Sequence, residues 1–356
     1  MMEAVNVAAR EAEVAWDGRP SGFQRILPGP VAVLGFWIAF SVLLVKLVDR
    51  LPNHTRELGL GFSGWSLALY LFLMAEIVFI GVGFIYHRVL THRACRLHPL
   101  ALWPLLIASL PAGTPIQWVG NHRHHHGKTD RAADWHSPIH GFWAAHAGWY
   151  ISSRNPIVCA IYTCAGPLRM LFDAFWRPQT NQEYTKQAKD VAAEPFLAFV
   201  SRPSPFAFFV IGHVAVSWAF TYLLWGTSGF VPLFFTQVIY YLVGDGVNSI
   251  LHMWGDKPFV TRDDSRNFPV LGFMLLGEGY HNAHHAFPRG LKAGLLPGQF
   301  DTIYQLARVL RALGLCRDIV EIGPREILGK LRDEKHRAHF ERLLEQSTQS
   351  PPASPT

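Results

Sequence analysis

Charge and cysteine are the two things this chain has little of. Only 16% of its 356 residues are Asp, Glu, Lys or Arg, whereas 50% are hydrophobic. Soluble domains seldom show that balance. The four cysteines, at 95, 159, 164 and 316, form no C-x-x-C pair. All lie in segments expected on the reducing side of a membrane, so they are expected to be free thiols. The stretch from Met1 to Arg25 mixes Glu, Arg and Asp and lacks a basic-then-apolar leader with a small-residue cleavage site. No signal peptide is expected to be removed. No internal repeat is visible, and low complexity is confined to Gln346–Thr356, rich in Ser, Pro and Thr.

Long apolar runs take the place of charge. Four of them, about 31–48, 66–86, 205–225 and 230–251, are long enough to span a bilayer. Leu97 to Pro111 is also apolar, but it is short and carries prolines at 99, 104 and 111, which suggests an interfacial segment that does not cross. Between the first two spans, Asp49 to Gly64 carries only Arg50 and Arg56 as basic residues, whereas His87 to Arg202 is rich in Arg and Lys. The positive-inside rule then places both termini in the cytoplasm. The expected architecture is an all-α integral membrane protein with four transmembrane helices and a cytoplasmic helical cap. Residues 1–28 form a cytoplasmic N-terminal segment, 29–330 the membrane domain, and 331–356 a polar, disordered tail. Pro297 to Leu315 reads as an amphipathic helix lying on the cap. The basic residues are scattered over loops, a pattern that argues for contact with anionic lipid headgroups and against nucleic acid.

The residues that carry chemistry are histidines. They cluster as His87-x4-His92, as His122-Arg123-His124-His125-His126, and as His281-Asn282-Ala283-His284-His285. Imidazoles at this density beside apolar segments repel one another when protonated and strand polar nitrogens when neutral, unless something electron-deficient binds them. A metal removes both problems. On a helix, the first residue of H-x-x-H-H shares a face with the third-next and fourth-next, so three ring nitrogens converge. His87 and His92 are five residues apart, about 140° around an α-helix and roughly 7.5 Å along it. That spacing would let one helix serve two ions from two sides, and it favours a dinuclear site. His252, four residues after Asn248, supplies a ninth imidazole. His124 takes the free position of its cluster and is expected to point away. By the charge argument, all nine of these histidines are expected to emerge on the cytoplasmic face.

Taken together, H-R-V-L-T-H-R, H-R-H-H-H, N-S-I-L-H-M-W-G and G-E-G-Y-H-N-A-H-H-A-F-P resemble the integral-membrane fatty acyl desaturases of the delta-9, first-position type. The resemblance covers about Ile80 to Leu315, in the order and spacing of the boxes and their position relative to the spans. It implies two iron ions held by His87, His92, His122, His125, His126, His252, His281, His284 and His285, with Asn248 reaching one of them through water. It also implies reduction of dioxygen to water by four electrons. Two come from adjacent C–H bonds of an acyl chain, and two from an external donor. No His-Pro-Gly-Gly haem motif is present, so the donor is a separate protein, a ferredoxin or a cytochrome b5 with its reductase.

Around the boxes, Asp130, Asp134 and Glu278 are candidates for orienting the imidazoles through their distal N–H groups. His136 follows in Asp134-Trp135-His136, where the family has Asp-Pro-His, and it reads with His146 as a supporting group or headgroup contact. His213 reads as a hydrogen-bonded helix residue. Trp118 matches an aromatic residue lining the family's acyl tunnel. Two departures stand out. Gly120-Asn121 replaces an Arg-Asp pair that contacts coenzyme A in animal acyl-CoA desaturases, which leaves CoA, lipid and carrier protein all open as the acyl carrier. Gly244-Asp245 replaces a Thr-Trp pair that helps bend the tunnel. Asp245 is expected to orient an imidazole, pair with a polar group of an unusual substrate, or stay protonated. Glu76, inside the second span, raises the same question. A hydroxylase or acetylenase on the same diiron core is the alternative enzyme, and a metal-ion transporter the remote one. Transporters place their ligands near the bilayer midplane on broken helices, whereas these histidines sit at span ends. Compact lumenal loops and the lack of a retention motif favour a bacterial cytoplasmic membrane over the endoplasmic reticulum.

Overall fold

The computed structural model of the chain describes residues 30–50, 63–149, 161–162 and 166–349. The N-terminal segment 1–28, most of the linker after the first predicted span, and Cys159 and Cys164 lie outside them. The described residues are mostly helical.

Helix α1 (Pro30–Asp49) covers the first apolar run. Helix α2 (Gly64–Ile80) begins at Ser63, whose hydroxyl accepts the Ser66 N–H, and runs without a break into a π-helix, Gly81–Thr91. Gly81 has no side chain for a steric reason: a Cβ there would lie 2.8 Å from Leu105 O and 2.9 Å from Ser109 N. The neighbour at that contact is α3 (Pro99–Ser109), which starts at a proline behind the His98 cap. A 3-10 turn at Leu110–Ala112 and Gly113 at φ 122° then redirect the chain into α4 (Pro115–Lys128), capped by Thr114. The two arms meet at 73°, so the segment expected to stay at the interface is one arm of a bent pair.

Helix α5 (Gly166–Trp176) packs against both α6 (Pro203–Trp225) and α7 (Phe230–Met253). The last two form a hairpin. Trp218 Nε1 donates to Gln237 Oε1 at 3.0 Å, and Gln237 Nε2 to Ser217 Oγ at 3.1 Å. Residues twenty apart on one straight helix would stand roughly 30 Å apart. The reversal occurs at Gly226–Gly229, where Gly226 adopts φ 63°. Among the described residues, two stretches are long and apolar enough to cross a membrane, Gly64–Thr91 and Pro203–Met253, or three if the bent pair counts as one span.

The other described elements include the one that carries the third histidine cluster, α8 (His281–Ala286). Helix α9 (Thr302–Ala312) falls inside the stretch read as amphipathic, with Asp301 as its cap and Ile303 and Ala307 buried. Gly83 of the π-helix lies directly beneath Ile303. A two-stranded antiparallel pair joins Arg96–Leu97 to Cys316–Arg317, and Cys95 and Cys316 are free, buried thiols. The tail departs from expectation. Instead of disorder from residue 331, the chain forms α10 (Glu334–Gln349), anchored by the buried side chain of Phe340. Phe340 joins this largely polar helix to the apolar cluster that holds Ile327 and Leu331, and the polar composition hid that anchor. Residues 350–356 lie outside the described residues.

Candidate metal centre

The nine histidines singled out by spacing converge into two adjacent groups. His87, His92, His122, His126 and His284 form one, and His125, His252, His281 and His285 the other. Within each group, the ring nitrogens available to a metal lie within 4.8 Å of one another. Their closest approaches are narrower still. His87 Nε2 and His126 Nε2 each lie 3.0 Å from His284 Nε2, and His126 and His122 are 3.1 Å apart. In the second group His281 Nε2 is 3.0 Å from His252 Nε2 and 3.1 Å from His285 Nε2. Two imidazole nitrogens bound to one ion at about 2.1 Å and at a right angle to each other stand roughly 3.0 Å apart. The donor sets therefore fit a metal ion each.

Local helical geometry explains the sorting, and it corrects one expectation. His87 and His92 were expected on two sides of an α-helix, serving two ions. They belong to the same group. The reason is the π-helix: the His92 N–H donates to His87 O at 3.1 Å, an i→i+5 turn that stacks residues five apart on one face. The division between groups falls instead within the two triplets. On α4, His122 and His126 face the first group and His125 the second, while on α8, His281 and His285 face the second and His284 the first. His124 points away, with its Nε2 2.8 Å from Ala133 O and its ring stacked on Trp135.

Carboxylates hold the outer nitrogens of four rings. His87 Nδ1 lies 2.5 Å from Glu278, His125 Nδ1 3.0 Å from Asp134, His252 Nδ1 3.0 Å from Asp130, and His285 Nδ1 3.2 Å from Asp263. Each pairing fixes an N–H on Nδ1 and turns Nε2 inward as a free lone pair. Three of these acids were expected. Asp263 was not: it lies in the loop after α7, 22 residues before His285, and only the acidic pair Asp263-Asp264 hinted at it. Asp130, at φ 56°, also accepts the Asp264 N–H at 2.7 Å and the Ser137 hydroxyl at 2.8 Å, tying the loop after α4 to the loop after α7. Behind Glu278, Arg88 donates from Nε at 2.9 Å and is clamped by Asp301 at 2.9 Å.

Burial and charge act in opposite directions on the rings of α8 and on the acids beside the site. Burial, and then neighbouring imidazoles, press His281, His284 and His285 well below the ordinary histidine range. Burial alone would raise Glu278, Asp130 and Asp134, but their histidine partners, and Arg88 at Glu278, outweigh it and hold all three below the usual carboxylate range. Neutral imidazole flanked by carboxylate is the form that ligates metal.

The comparisons with known proteins agree with this geometry. A profile described as fatty acid desaturase matches residues 63–297. The chain belongs to the fatty acid desaturase family. It is 32% identical over 262 residues to a delta-9 desaturase-like 5 protein of Arabidopsis thaliana, covering 72% of this chain and 77% of that one. It is 30% identical over 280 residues to an sn-2 palmitoyl-lipid 9-desaturase of a Nostoc strain, covering 74% and 85%. An acyl-CoA C20 delta5-desaturase of Anemone leveillei shares 31% over 245 residues, covering 67% and 69%. The protein is accordingly an oxidoreductase, a fatty acid desaturase.

A cavity of about 200 Å³ opens beside the first histidine group of this desaturase, lined at that end by His87, His122, Trp118 and Glu278. Trp118 stacks on His122 at 4.9 Å between ring centroids. On α7, Tyr241, Gly244, Asp245 and Asn248 line the cavity; their i, i+3, i+4, i+7 spacing makes them one helix face. His136 lines it too, and burial pushes that ring down to about 3. His146 is placed elsewhere, its Nδ1 2.9 Å from Ser249 Oγ.

Proposed function

We propose that the chain introduces a cis double bond into a fatty acyl chain at a diiron centre held by its nine histidines, with Asn248 acting through water. The observation that carries this reading is the pair of all-imidazole groups whose inward nitrogens stand at the separations one ion each requires. Nitrogen donors suit iron. When bound, two irons would supply dioxygen reduction coupled to removal of hydrogen from two neighbouring methylenes.

The protein's own residues set where that happens. Glu278, Asp134, Asp130 and Asp263 hold the imidazoles in one tautomer. Trp118, seated on His122, walls the cavity next to the metal, so the carbons presented there are fixed by the length of chain the cavity accepts. Tyr86 supports Trp118, with ring centroids 5.5 Å apart, and is itself anchored by its hydroxyl to Gly113 O at 2.7 Å.

Four spans with a cytoplasmic metal centre remain our reading of the topology, supported by α2 with its π-helical extension and by the α6–α7 hairpin. The membrane proposed is the bacterial cytoplasmic one. The acyl group is carried by CoA, lipid or a carrier protein, and a ferredoxin or a cytochrome b5 with its reductase delivers the electrons. Lipid analysis of cells expressing the chain, with and without His285→Ala, tests the reading. The expected result is an acyl product two hydrogens lighter that disappears in the variant. A product gaining oxygen, or one four hydrogens lighter, points to hydroxylation or acetylenic bond formation. Product unchanged by His285→Ala overturns the proposal.

A further inference from the structure

Away from the histidines, the cavity stops being apolar. Its wall includes Gln117, Arg169, Arg177, Tyr241 and Asp245, where a plain alkyl chain offers no hydrogen-bonding partner. Gln117 indicates what fits. It is 3% exposed. Its amide nitrogen donates to Arg177 O at 2.7 Å and to the Thr180 hydroxyl, which fixes which end of the amide is nitrogen. The other end, Oε1, is buried without a hydrogen bond among the described residues. A buried carbonyl oxygen left in that state is costly, and the cost disappears when a donor arrives.

A cationic donor lies close by. Gln117 Oε1 and Arg177 Nη1 each lie 3.7 Å from the point a Cβ on Gly113 would occupy. The missing side chain leaves a gap bordered by both an acceptor and a donor. Arg177 is held in place through Nε, which donates to Asp173 at 3.1 Å. A hydroxyl satisfies both sides at once, accepting from the guanidinium and donating to the amide oxygen. A carboxylate would meet the Gln117 lone pairs, and a methyl group satisfies neither.

The position of the gap identifies which part of a substrate reaches it. Gln117 precedes His122 by five residues on α4, about 7.5 Å of helix rise. The adjoining wall is deeper. Arg169 lies 3.9 Å over the Tyr241 ring, and the Tyr241 hydroxyl donates to Pro111 O at 3.0 Å. Tyr241 is eleven residues before His252, roughly 16 Å along α7. The gap therefore lies beyond the metal groups, among the helices, where the far end of an acyl chain would go and its carrier would not.

We propose that this desaturase acts on acyl chains bearing a hydroxyl group beyond the reacting carbons, held between Gln117 and Arg177. The proposal rests on the desaturase reading above and adds the chemistry of the chain's distal end. The test is a competition in cells expressing the full chain, supplied with equal amounts of palmitic acid and of palmitic acid hydroxylated at its last or next-to-last carbon, with unsaturated products measured by mass spectrometry. The hydroxylated acid should be desaturated roughly tenfold faster, the worth of one hydrogen bond. In Gln117→Met that ratio should fall to about one. Equal rates in the unaltered chain overturn the proposal, whatever the variant does, and leave the desaturase reading standing. A ratio unmoved by Gln117→Met overturns the assignment of the hydroxyl to this gap. If neither acid is desaturated by protein carrying its metal, the desaturase reading itself fails and the proposal falls with it.

Discussion

Glu278 places one carboxylate oxygen 2.5 Å from His87 Nδ1 and the other 2.9 Å from Arg88 Nε. A single side chain thus fixes the tautomer of an imidazole in the first group and neutralises a buried guanidinium. Glu278→Gln keeps the shape but removes the charge both neighbours rely on. Asp301 still faces Arg88, so the fold should survive with reduced thermal stability. Metal affinity or product yield should fall about 10- to 100-fold, the usual cost of losing such a partner. Metal analysis and lipid profiling check this together, and wild-type values of both in Glu278→Gln would contradict the role.

Stability of the metal-free protein should depend on pH, with a sign set by the histidines. His281, His284 and His285 are depressed in the folded state by burial and by one another. As pH falls through the ordinary value of 6.5, the unfolded chain takes up protons that the folded chain refuses, so folding weakens with acid. The loss begins near that value and continues down toward the depressed folded values. Melting temperatures of metal-stripped protein should therefore drop from about pH 7 to about pH 5, while metal-loaded protein resists over the upper part of that range. A melting temperature that held steady or rose on acidification would count against neutral, buried rings.

Two glycines should respond in opposite ways. At Gly120 an added Cβ would lie 2.7 Å from Tyr184 O, whereas at Gly244 it meets nothing within 4 Å. Gly120→Ala should destabilise the protein by about 1–3 kcal/mol, read as lower yield and melting temperature. Gly244→Leu should fold normally but intrude on the cavity it lines, shifting the product toward shorter chains or another bond position. An unchanged product profile in Gly244→Leu would mean that acyl chains do not pass this face of α7.

Much of the site was legible because its ligands are chemically conspicuous and locally spaced. The two triplets lie on α4 and α8, where i, i+3, i+4 spacing is a property of the α-helix itself. Asp130, Asp134 and Glu278 could be named because each is adjacent to a box. What escaped was geometry of longer range. The π-helix at Gly81–Thr91 inverted the reading of His87 and His92, since an α-helical period cannot reveal that five residues close a turn. Asp263 reaches His285 across a loop. Helix α5, with Arg169 and Asp173, enters the molecule from a part of the chain without any motif, so the polar wall it gives the cavity was invisible in sequence. The tail helix was missed because its anchor, Phe340, sits in a largely polar stretch.

The splitting of each triplet between the two groups also bears on how the centre fills. Helices α4 and α8 each contribute donors to both groups, so an ion seated in either one clamps the same two helices together. If seating the first ion orders α4 and α8, less is left to be ordered for the second, and a metal titration would show cooperative uptake wherever that gain exceeds the repulsion between two neighbouring cations.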